Sequence, residues 1–352
     1  MSNVFNQTPL QILTGFLGSG KTTLLNKVVN NPEMKGTVLI INEVGEIPID
    51  NKLISGDNPV IVLDSGCICC TVQDGLVNVL HYLIEERDNN PEFDFNRVII
   101  ETTGIADPAP IIDLIFHYED ILINYNFAGT ITVVDGINAK EELAHNYEAV
   151  KQIAMADKII ISKTDRLSQD EIEALKNTVE DLNQSADVYL SSLDNPPMDA
   201  FTSFDIFNTP KDIKTAMKWI NSKRSDYKLA SGMAPVKMSG VMNKTLPIHS
   251  NYQTIAMSFD KPLNRFTVIH AFDAINSQFG ESIIRLKGIF DFNDGYPFII
   301  HGVQGECYPI TNQIEWEDKP FSQMVVIVSP RIAEQVELML KQMIRPLDDS
   351  EE

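Results

Sequence analysis

The stretch GFLGSGKT, from Gly15 to Thr22, constrains the fold of this chain more than any other part of the sequence. It fits the pattern G-x-x-x-x-G-K-[ST], which needs a strand before it and a helix after it. The apolar run LQILT precedes it and the run TLLNKVV follows it. The motif therefore predicts a phosphate-binding loop between the first strand and the first helix of an α/β domain.

The residue types in this loop suit a nucleoside triphosphate. Glycines let backbone N–H groups approach the phosphates, and the N-terminus of the following helix attracts their negative charge. Lys21 would reach the β- and γ-phosphates as a catalytic residue, and the Thr22 hydroxyl would hold Mg²⁺. The predicted nucleotide-binding residues of the loop are Gly15, Gly18, Ser19, Gly20, Lys21, Thr22 and Thr23.

Short apolar runs alternate with amphipathic stretches through the first half of the chain. The apolar runs cover residues 10–14, 37–41, 60–63, 97–101, 130–135, 158–162 and 187–191. Helical spacing is found in residues 74–87, 141–156 and 170–182. This alternation predicts an α/β fold with a mostly parallel sheet flanked by helices.

The pattern changes twice along the chain, which predicts a second domain. We expect the phosphate-binding domain to cover residues 1–200, and we interpret the Pro-, Asn- and Ser-containing residues 201–250 as a linker with one helix. Residues 251–346 predict a smaller α+β C-terminal domain, and the acidic residues 347–352 predict a solvated tail. The elements predicted in the smaller domain are strands at 252–259 and 298–304 and helices at 265–279 and 330–344.

Charge and composition exclude several classes of protein. The chain has 28 Lys and Arg residues against 49 Asp and Glu residues, a formal net charge of −21, which repels nucleic acids and anionic lipids and attracts metal cations. No apolar run approaches the roughly 20 residues of a membrane span, and the N-terminus has no signal-peptide pattern. With only four cysteines, a disulfide framework is not expected. We expect an unprocessed cytoplasmic protein that binds neither nucleic acid nor membranes.

The segment SKTD, Ser162 to Asp165, predicts the base that is bound. It is similar to the N/T-K-x-D motif, in which the Asp carboxylate accepts hydrogen bonds from two guanine N–H groups and the Lys stem lies over the ring. Adenine offers no such pair of donors. Lys163 and Asp165 are therefore predicted to bind guanine, with Ser191 as a further base contact, although a solvated polar loop is the alternative.

The segment ETTG, Glu101 to Gly104, ends another apolar run. A carboxylate at that position can hold Mg²⁺ directly or through water, and the glycine can give its N–H to the γ-phosphate. We therefore predict Glu101 as a catalytic, magnesium-binding residue and Gly104 as a nucleotide contact. The alternative for Glu101 is an exposed carboxylate at a strand end.

Three of the four cysteines, Cys67, Cys69 and Cys70, lie within four positions. Thiolates bind soft or borderline cations such as Zn²⁺, but a C-x-C-C run alone cannot complete a closed tetrahedral site. The segment NEVGEIPID, residues 42–50, offers carboxylates, so we predict Glu43 as a further ligand. Zn²⁺ is the first expectation for the metal and Co²⁺ the second. Cys307 is predicted as a core residue instead.

These motifs, together with VVDG at residues 133–136, stand in the order and spacing of the CobW-type GTPases. That family is related to the nickel-insertion GTPases of hydrogenase and urease. The first 200 residues resemble it closely, and RLKGIFDF and HGVQGE resemble its C-terminal domain. The resemblance implies a P-loop GTPase fold, a metallochaperone role, and a metal site at Cys67, Cys69 and Cys70. The sequence departs from the family in Ser162 and in lacking a His-rich stretch.

The predicted mechanism couples GTP to the metal. A γ-phosphate that orders the NEVGE segment would also reshape the metal site, so the predicted switch residues are Glu43, Gly45, Glu46 and Asp50. The GTP form would hold the ion and dock on a client metalloprotein, and hydrolysis to GDP would loosen the site. Without an assignable arginine finger, unaided turnover should be slow. We also expect a homodimer that depends on nucleotide or metal.

Three other functions fit parts of the pattern. One is a cobalt chaperone of cobalamin biosynthesis, which differs only in the cargo. Another is a small-molecule P-loop kinase with a structural metal, which would prefer adenine and transfer phosphate to a metabolite. The last is a passive metal buffer, in which loss of nucleotide binding would leave metal delivery unchanged.

Overall fold

The computed structural model describes residues 7–43, 58–64, 71–90, 92–203, 252–310, 316 and 319–347. Its residues fall into two compact units, Met1–Asn177 with Asp187–Asn208 and Thr178–Ala186 with Thr209–Glu352. Each is described by itself below. Of the predicted linker, only residues 201–203 are described, and its predicted helix lies outside the described residues, so the domain limits given above stay predictions.

A seven-stranded parallel sheet forms the centre of the first unit. Its strands are β1 (Thr8–Thr14), β2 (Thr37–Glu43), β3 (Val60–Asp64), β4 (Arg97–Glu101), β5 (Tyr125–Asp135), β6 (Lys158–Ser162) and β7 (Asp187–Leu190). They lie in the order β3-β2-β4-β1-β5-β6-β7, with every neighbouring pair parallel. Because all strands run the same way, the loops that follow β1 to β6 begin at one edge of the sheet.

Helices connect these strands. They are α1 (Lys21–Val28), α2 (Thr71–Asn89), α3 (Ala109–His117), α4 (Glu119–Asn124), α5 (Ala139–His145), α6 (Tyr147–Ala154), α7 (Gln169–Leu182) and α8 (Met198–Thr202). The predicted α/β class with a mostly parallel sheet is confirmed. In the ranges that the structure describes, no helix is long and apolar enough to cross a membrane.

One predicted helix, residues 141–156, is wrong in detail because it is two helices. Asn146 has an extended backbone (φ −118°, ψ 110°) and ends α5 by donating its N–H to the Glu142 carbonyl. Its side-chain amide donates to the same carbonyl at 3.1 Å. The side chain therefore competes with helix continuation, as Asn commonly does, and the chain turns before α6 begins.

The core between the sheet and α1 fixes the start of the phosphate-binding loop. It consists of buried side chains from several strands and from α1, among them Leu13, Ile99, Ile131, Val133, Ile160, Leu24, Leu25 and Val28. Full burial of each such side chain contributes about 1.5–3 kcal/mol relative to exposure. The loop is therefore held at both ends by packed elements.

The second unit contains a five-stranded antiparallel sheet. Its strands are β8 (Gln253–Phe259), β9 (Ile283–Asp291), β10 (Pro297–Val303), β11 (Glu306–Ile310) and β12 (Ser322–Val328), in the order β11-β10-β9-β12-β8. Two helices, α9 (Arg265–Phe279) and α10 (Ala333–Met343), pack with the sheet around one apolar core. The predicted smaller α+β domain is confirmed, and α9 has the predicted bounds.

Two residues of this unit have structural roles. Cys307 packs against the core, as predicted, and burial raises the pKa of its thiol to about 11. His301 lies inside β10 and is fully buried. Its Nε2 atom is 3.0 Å from the Arg285 guanidinium.

Candidate nucleotide site

The loop from Gly15 to Gly20 has a backbone that only glycine adopts readily. Gly15 has φ 144°, and a Cβ there would lie 2.2 Å from the Val133 carbonyl oxygen. Gly20 has φ 92° and caps the N-terminus of α1. The motif glycines are therefore required by close approach to β5 and by the left-handed turn into the helix.

Lys21, the first residue of α1, is 8% exposed. Its Nζ donates to the Gly15 carbonyl at 2.7 Å and to the Phe16 carbonyl at 3.2 Å. Burial lowers the pKa of the ammonium, while the charges of Glu101 and Glu142 act in the opposite direction. A cation that has lost most of its water and contacts mainly neutral carbonyls binds an anionic phosphate at a smaller desolvation cost.

Thr22 and Glu101 come together although they are 79 residues apart. The Thr22 hydroxyl donates to Glu101 Oε1 at 2.6 Å, and Glu101, at the end of β4, is only 4% exposed. The predicted alternative of an exposed Glu101 is therefore wrong. A hydroxyl and a carboxylate are the oxygen donors that Mg²⁺ prefers, so this pair fits a magnesium ion next to the loop.

Gly104 lies directly against the phosphate-binding loop. A Cβ at this position would lie 2.8 Å from both the backbone nitrogen and the Cα of Leu17. The residue is buried, and a larger side chain could not be accommodated without moving the loop. The structure thus brings the ETTG segment into contact with the phosphate-binding loop.

The predicted base-binding segment is tied to the same loop. Lys163 Nζ donates to the Gly18 carbonyl at 2.9 Å and to Asp135 Oδ2 at 2.7 Å. Burial alone would raise the pKa of Asp135, but hydrogen bonds from Lys163, Ile137 and Asn138 outweigh it and lower that pKa. Asp135 is therefore a charged anchor for the lysine, a role that the sequence reading missed.

Ser162 and Ser191 hold the predicted base-binding segment in place through hydrogen bonds. The Ser162 hydroxyl donates to the Ser19 carbonyl at 2.7 Å, and the Val134 carbonyl oxygen lies 3.1 Å from the same Oγ. The Ser191 carbonyl accepts from the Thr164 N–H and hydroxyl, and Ser191 is buried. Asp165 is exposed at the same end of the sheet. A serine at position 162 therefore has a structural role, because its hydroxyl links β6 to the phosphate-binding loop.

A further carboxylate lies beside the phosphate-binding loop, on helix α5. Glu142 is half-buried and lines a small cavity with Phe16 and Val133. Burial and the negative charge of Asp135 raise its pKa to about 7, although Lys163 and Lys21 act in the opposite direction. Its proximity to two lysines of the site could be found only after folding, because α5 is more than 100 residues from the loop.

Residues 9–190, more than half of the chain, match the family described as CobW/HypB/UreG, nucleotide-binding domain. The chain belongs to the CobW/HypB/UreG family. Residues 252–344 match the Cobalamin synthesis protein cobW C-terminal domain. The resemblance seen in the motifs is therefore confirmed, and both matched segments agree with the sheets described above.

Three relatives of this CobW/HypB/UreG chain are informative. The zinc chaperone YjiA of Escherichia coli (strain K12) is 29% identical over 330 residues, which cover 92% of this chain and 94% of the relative. The zinc chaperone CobW of Sinorhizobium sp is 32% identical over 200 residues, covering 49% and 55%. The zinc-regulated GTPase metalloprotein activator 1 of Schizosaccharomyces pombe is 30% identical over 189 residues, covering 51% and 45%.

Solved structures support the same fold. The crystal structure of Zn(II)-bound YjiA GTPase from E. coli has a TM-score of 0.65 at 22% identity and covers 96% of this chain and 99% of that one. A Zn(II)-bound triple mutant of YjiA has a TM-score of 0.70 with the same identity and coverage. At this identity the likeness shows the architecture of the CobW/HypB/UreG chain and nothing further.

Most predicted metal and switch residues of the CobW/HypB/UreG domain lie outside the described residues: Cys67, Cys69, Cys70, Gly45, Glu46 and Asp50. Glu43 ends β2, where its backbone pairs in register with Asp64, the last residue of β3. The strands that precede the predicted switch segment and the cysteine segment thus end side by side, at the sheet edge that also carries Glu101. Within the described ranges, no group of three or more His, Cys, Asp and Glu side chains could hold a metal ion.

Proposed function

We propose that this chain is a GTP-dependent metallochaperone that binds zinc and passes it to a client metalloprotein. The observation that carries the proposal is the meeting of Lys21, Thr22 and Glu101 at one sheet edge, where β3, the strand that leads into the cysteines, also ends two strands away from β4. The names of the relatives, which are zinc chaperones and a zinc-regulated GTPase, support zinc as the cargo.

Each residue of the nucleotide site has a proposed role. Lys21 carries the charge of the β- and γ-phosphates, and its carbonyl partners would be exchanged for phosphate oxygens. Thr22 and Glu101 would hold Mg²⁺, which supplies positive charge to the phosphates when it is bound. Lys163 and Asp165 select guanine, and Gly104 contacts the terminal phosphate. Together these residues support hydrolysis of GTP to GDP and phosphate.

The metal site proposed for the cargo consists of Cys67, Cys69 and Cys70, with Glu43 as the fourth ligand. Three thiolates suit Zn²⁺, and an oxygen ligand from the switch segment would make the site sensitive to the nucleotide. Because Glu43 would belong to both the metal site and the switch, ordering of residues 43–50 by the γ-phosphate would strengthen zinc binding. By linkage, zinc would strengthen GTP binding by the same factor.

A competition titration of Zn²⁺ tests this function. Zinc affinity is measured in the nucleotide-free protein, with GDP, and with a non-hydrolysable GTP analogue. We expect one ion per chain and an affinity at least about tenfold higher with the analogue than with GDP, which corresponds to about 1.4 kcal/mol of coupling. Equal affinities in all three states would contradict a nucleotide-driven carrier and would indicate a passive metal buffer.

The raised pKa of Glu142 predicts how nucleotide binding depends on pH. Its folded pKa of about 7 lies above the ordinary value, so it is protonated in the folded chain at slightly acidic pH. The protonated Glu142 carboxyl therefore makes its full contribution to the free energy of unfolding at low pH. That contribution is lost as the pH rises through about 7 and the buried carboxyl ionises. Above pH 7 the ionised carboxylate repels the phosphates, so we expect affinity for the GTP analogue to fall between pH 6 and 8.

The measurement compares wild type with Glu142→Gln, because the nucleotide also titrates in this range. The affinity ratio between pH 6 and pH 8 should be about threefold to tenfold larger in wild type, a size consistent with a partly screened charge pair. Glu148→Gln, on the neighbouring helix and exposed, is the matched control and should behave like wild type. Identical pH profiles for wild type and Glu142→Gln would contradict the role of Glu142.

A further inference from the structure

Helix α6 contacts the loop that follows Glu101 through two adjacent side chains. Gln152 is 1% exposed, and its Nε2 donates to the Ala106 carbonyl at 2.9 Å and to the Gly104 carbonyl at 3.3 Å. Lys151 Nζ pairs with Asp107 Oδ2 at 2.5 Å. One helix thus contacts three residues of a loop that lies next to the phosphate-binding residues.

The loop is short and is anchored at both ends. At its start, the Thr102 N–H donates to the Leu13 carbonyl at 2.9 Å, which fixes it to β1. At its end, Asp107 Oδ1 accepts from the Ala109 N–H at 3.0 Å, where α3 begins. Between these anchors, Gly104 packs on the backbone of Leu17. Inside the loop, the Ala106 N–H also donates to the Thr103 carbonyl at 3.1 Å, and Gln152 holds the Gly104 and Ala106 carbonyls from outside the loop.

The helix that supplies these contacts is itself fixed. The Gln152 carbonyl accepts from the Thr132 hydroxyl of β5 at 2.8 Å, and the neighbouring Val150 and Ile153 are fully buried. A buried amide that lost its two carbonyl partners would leave unsatisfied groups, each costing about 1–3 kcal/mol. This cost disfavours other positions of the loop, so the hydrogen bonds of Gln152 can fix the loop in the observed position.

We propose that Gln152 is a positioning residue for the terminal phosphate of GTP, with Lys151 as a second, weaker anchor. By holding the Gly104 and Ala106 carbonyls, it fixes the part of the loop that contains Gly104, whose N–H is the proposed contact of the γ-phosphate. The inference rests on the proposed GTPase function and adds the basis on which the site distinguishes GTP from GDP. Gln152 itself contacts neither phosphate nor metal.

The test compares nucleotide affinities in Gln152→Met, a change that keeps the side-chain length and removes the amide. Dissociation constants for GDP and for a non-hydrolysable GTP analogue are measured with Mg²⁺ present. We expect the affinity for the analogue to fall about tenfold while that for GDP changes less than about twofold, because GDP lacks the phosphate that Gly104 contacts. A purely structural role for Gln152 would weaken both nucleotides equally.

The matched control is Gln11→Met. Gln11, on β1, is fully buried, and its amide has no hydrogen-bond partner in the described part of the chain, so the ratio of the two affinities should stay as in wild type. Lys151→Met removes only the ion pair with Asp107 and should shift the ratio in the same direction by about threefold. This second variant decides the matter if Gln152→Met does not fold.

An unchanged ratio in Lys151→Met and in folded Gln152→Met would overturn the inference. If Gln11→Met shifted the ratio as much as Gln152→Met, loss of any buried amide would explain the effect, and the inference would also fail. Wild-type protein that binds neither nucleotide would instead refute the proposed function on which the inference rests. The two failures are distinguishable because only the second involves wild type.

Discussion

Lys21→Ala is expected to lower the affinity for GTP by at least about a hundredfold, which corresponds to about 2.7 kcal/mol, and to abolish measurable hydrolysis. Lys21 is the buried cation of the phosphate-binding loop, and its Nζ donates hydrogen bonds to the carbonyls of Gly15 and Phe16. Alanine leaves the backbone N–H groups in place but removes the charge that balances the transferred phosphoryl group. Hydrolysis should therefore fall further than binding.

The same substitution should not unfold the protein. Burial lowers the pKa of Lys21, so the folded chain carries a desolvation cost that alanine removes. We expect the melting temperature of Lys21→Ala to equal or exceed that of wild type. The control is Lys35→Ala, at an exposed lysine between α1 and β2, which should keep wild-type binding and turnover. GTP binding and hydrolysis by Lys21→Ala at wild-type levels would contradict the assignment of the loop.

Elements with clear ends could be predicted from the sequence alone. β6 and α9 have the predicted bounds. β6 is an unbroken apolar run, and α9 is an amphipathic stretch that follows a capping residue, so in each case the sequence fits only one type of secondary structure. β5 begins at Tyr125, five residues before its predicted start. Its first part contains Gly129 at φ 102°, close to the register shift with β1, which interrupts the local strand pattern.

The residues that complete the nucleotide site could not be predicted in the same way. Asp135, Glu142 and Gln152 have no motif of their own, and their partners are distant in the sequence. Asp135 meets Lys163 across 28 residues, and Gln152 meets Gly104 across 48. Their roles follow from the order of the parallel strands, since that order places the loops after β1, β4, β5 and β6 beside one another. Motifs therefore give the chemistry, while the tertiary fold gives the supporting contacts.

A second large effect is expected in the variant that combines Cys67→Ser, Cys69→Ser and Cys70→Ser. Serine keeps the size of each side chain but removes the thiolates, which are the ligands that zinc prefers. Loss of one supporting residue near a metal typically costs about 10–100-fold in affinity, so loss of all three ligands should cost more than about a hundredfold. The number of tightly bound zinc ions per chain should fall from one to none.

Cys307→Ser is the matched control for this variant. Cys307 lies in the second unit and packs against its core, and its raised pKa keeps the thiol protonated at neutral pH, so its substitution should leave zinc binding unchanged. With Co²⁺ as the probe, the absorption from thiolate-to-cobalt charge transfer should disappear in the triple variant and persist in the control. GDP affinity should stay within about twofold of wild type in both, because the residues that contact GDP are intact. Tight zinc binding that survives in the triple variant would place the cargo site elsewhere in the chain, and the coupling between Glu43 and the γ-phosphate would then lose its basis.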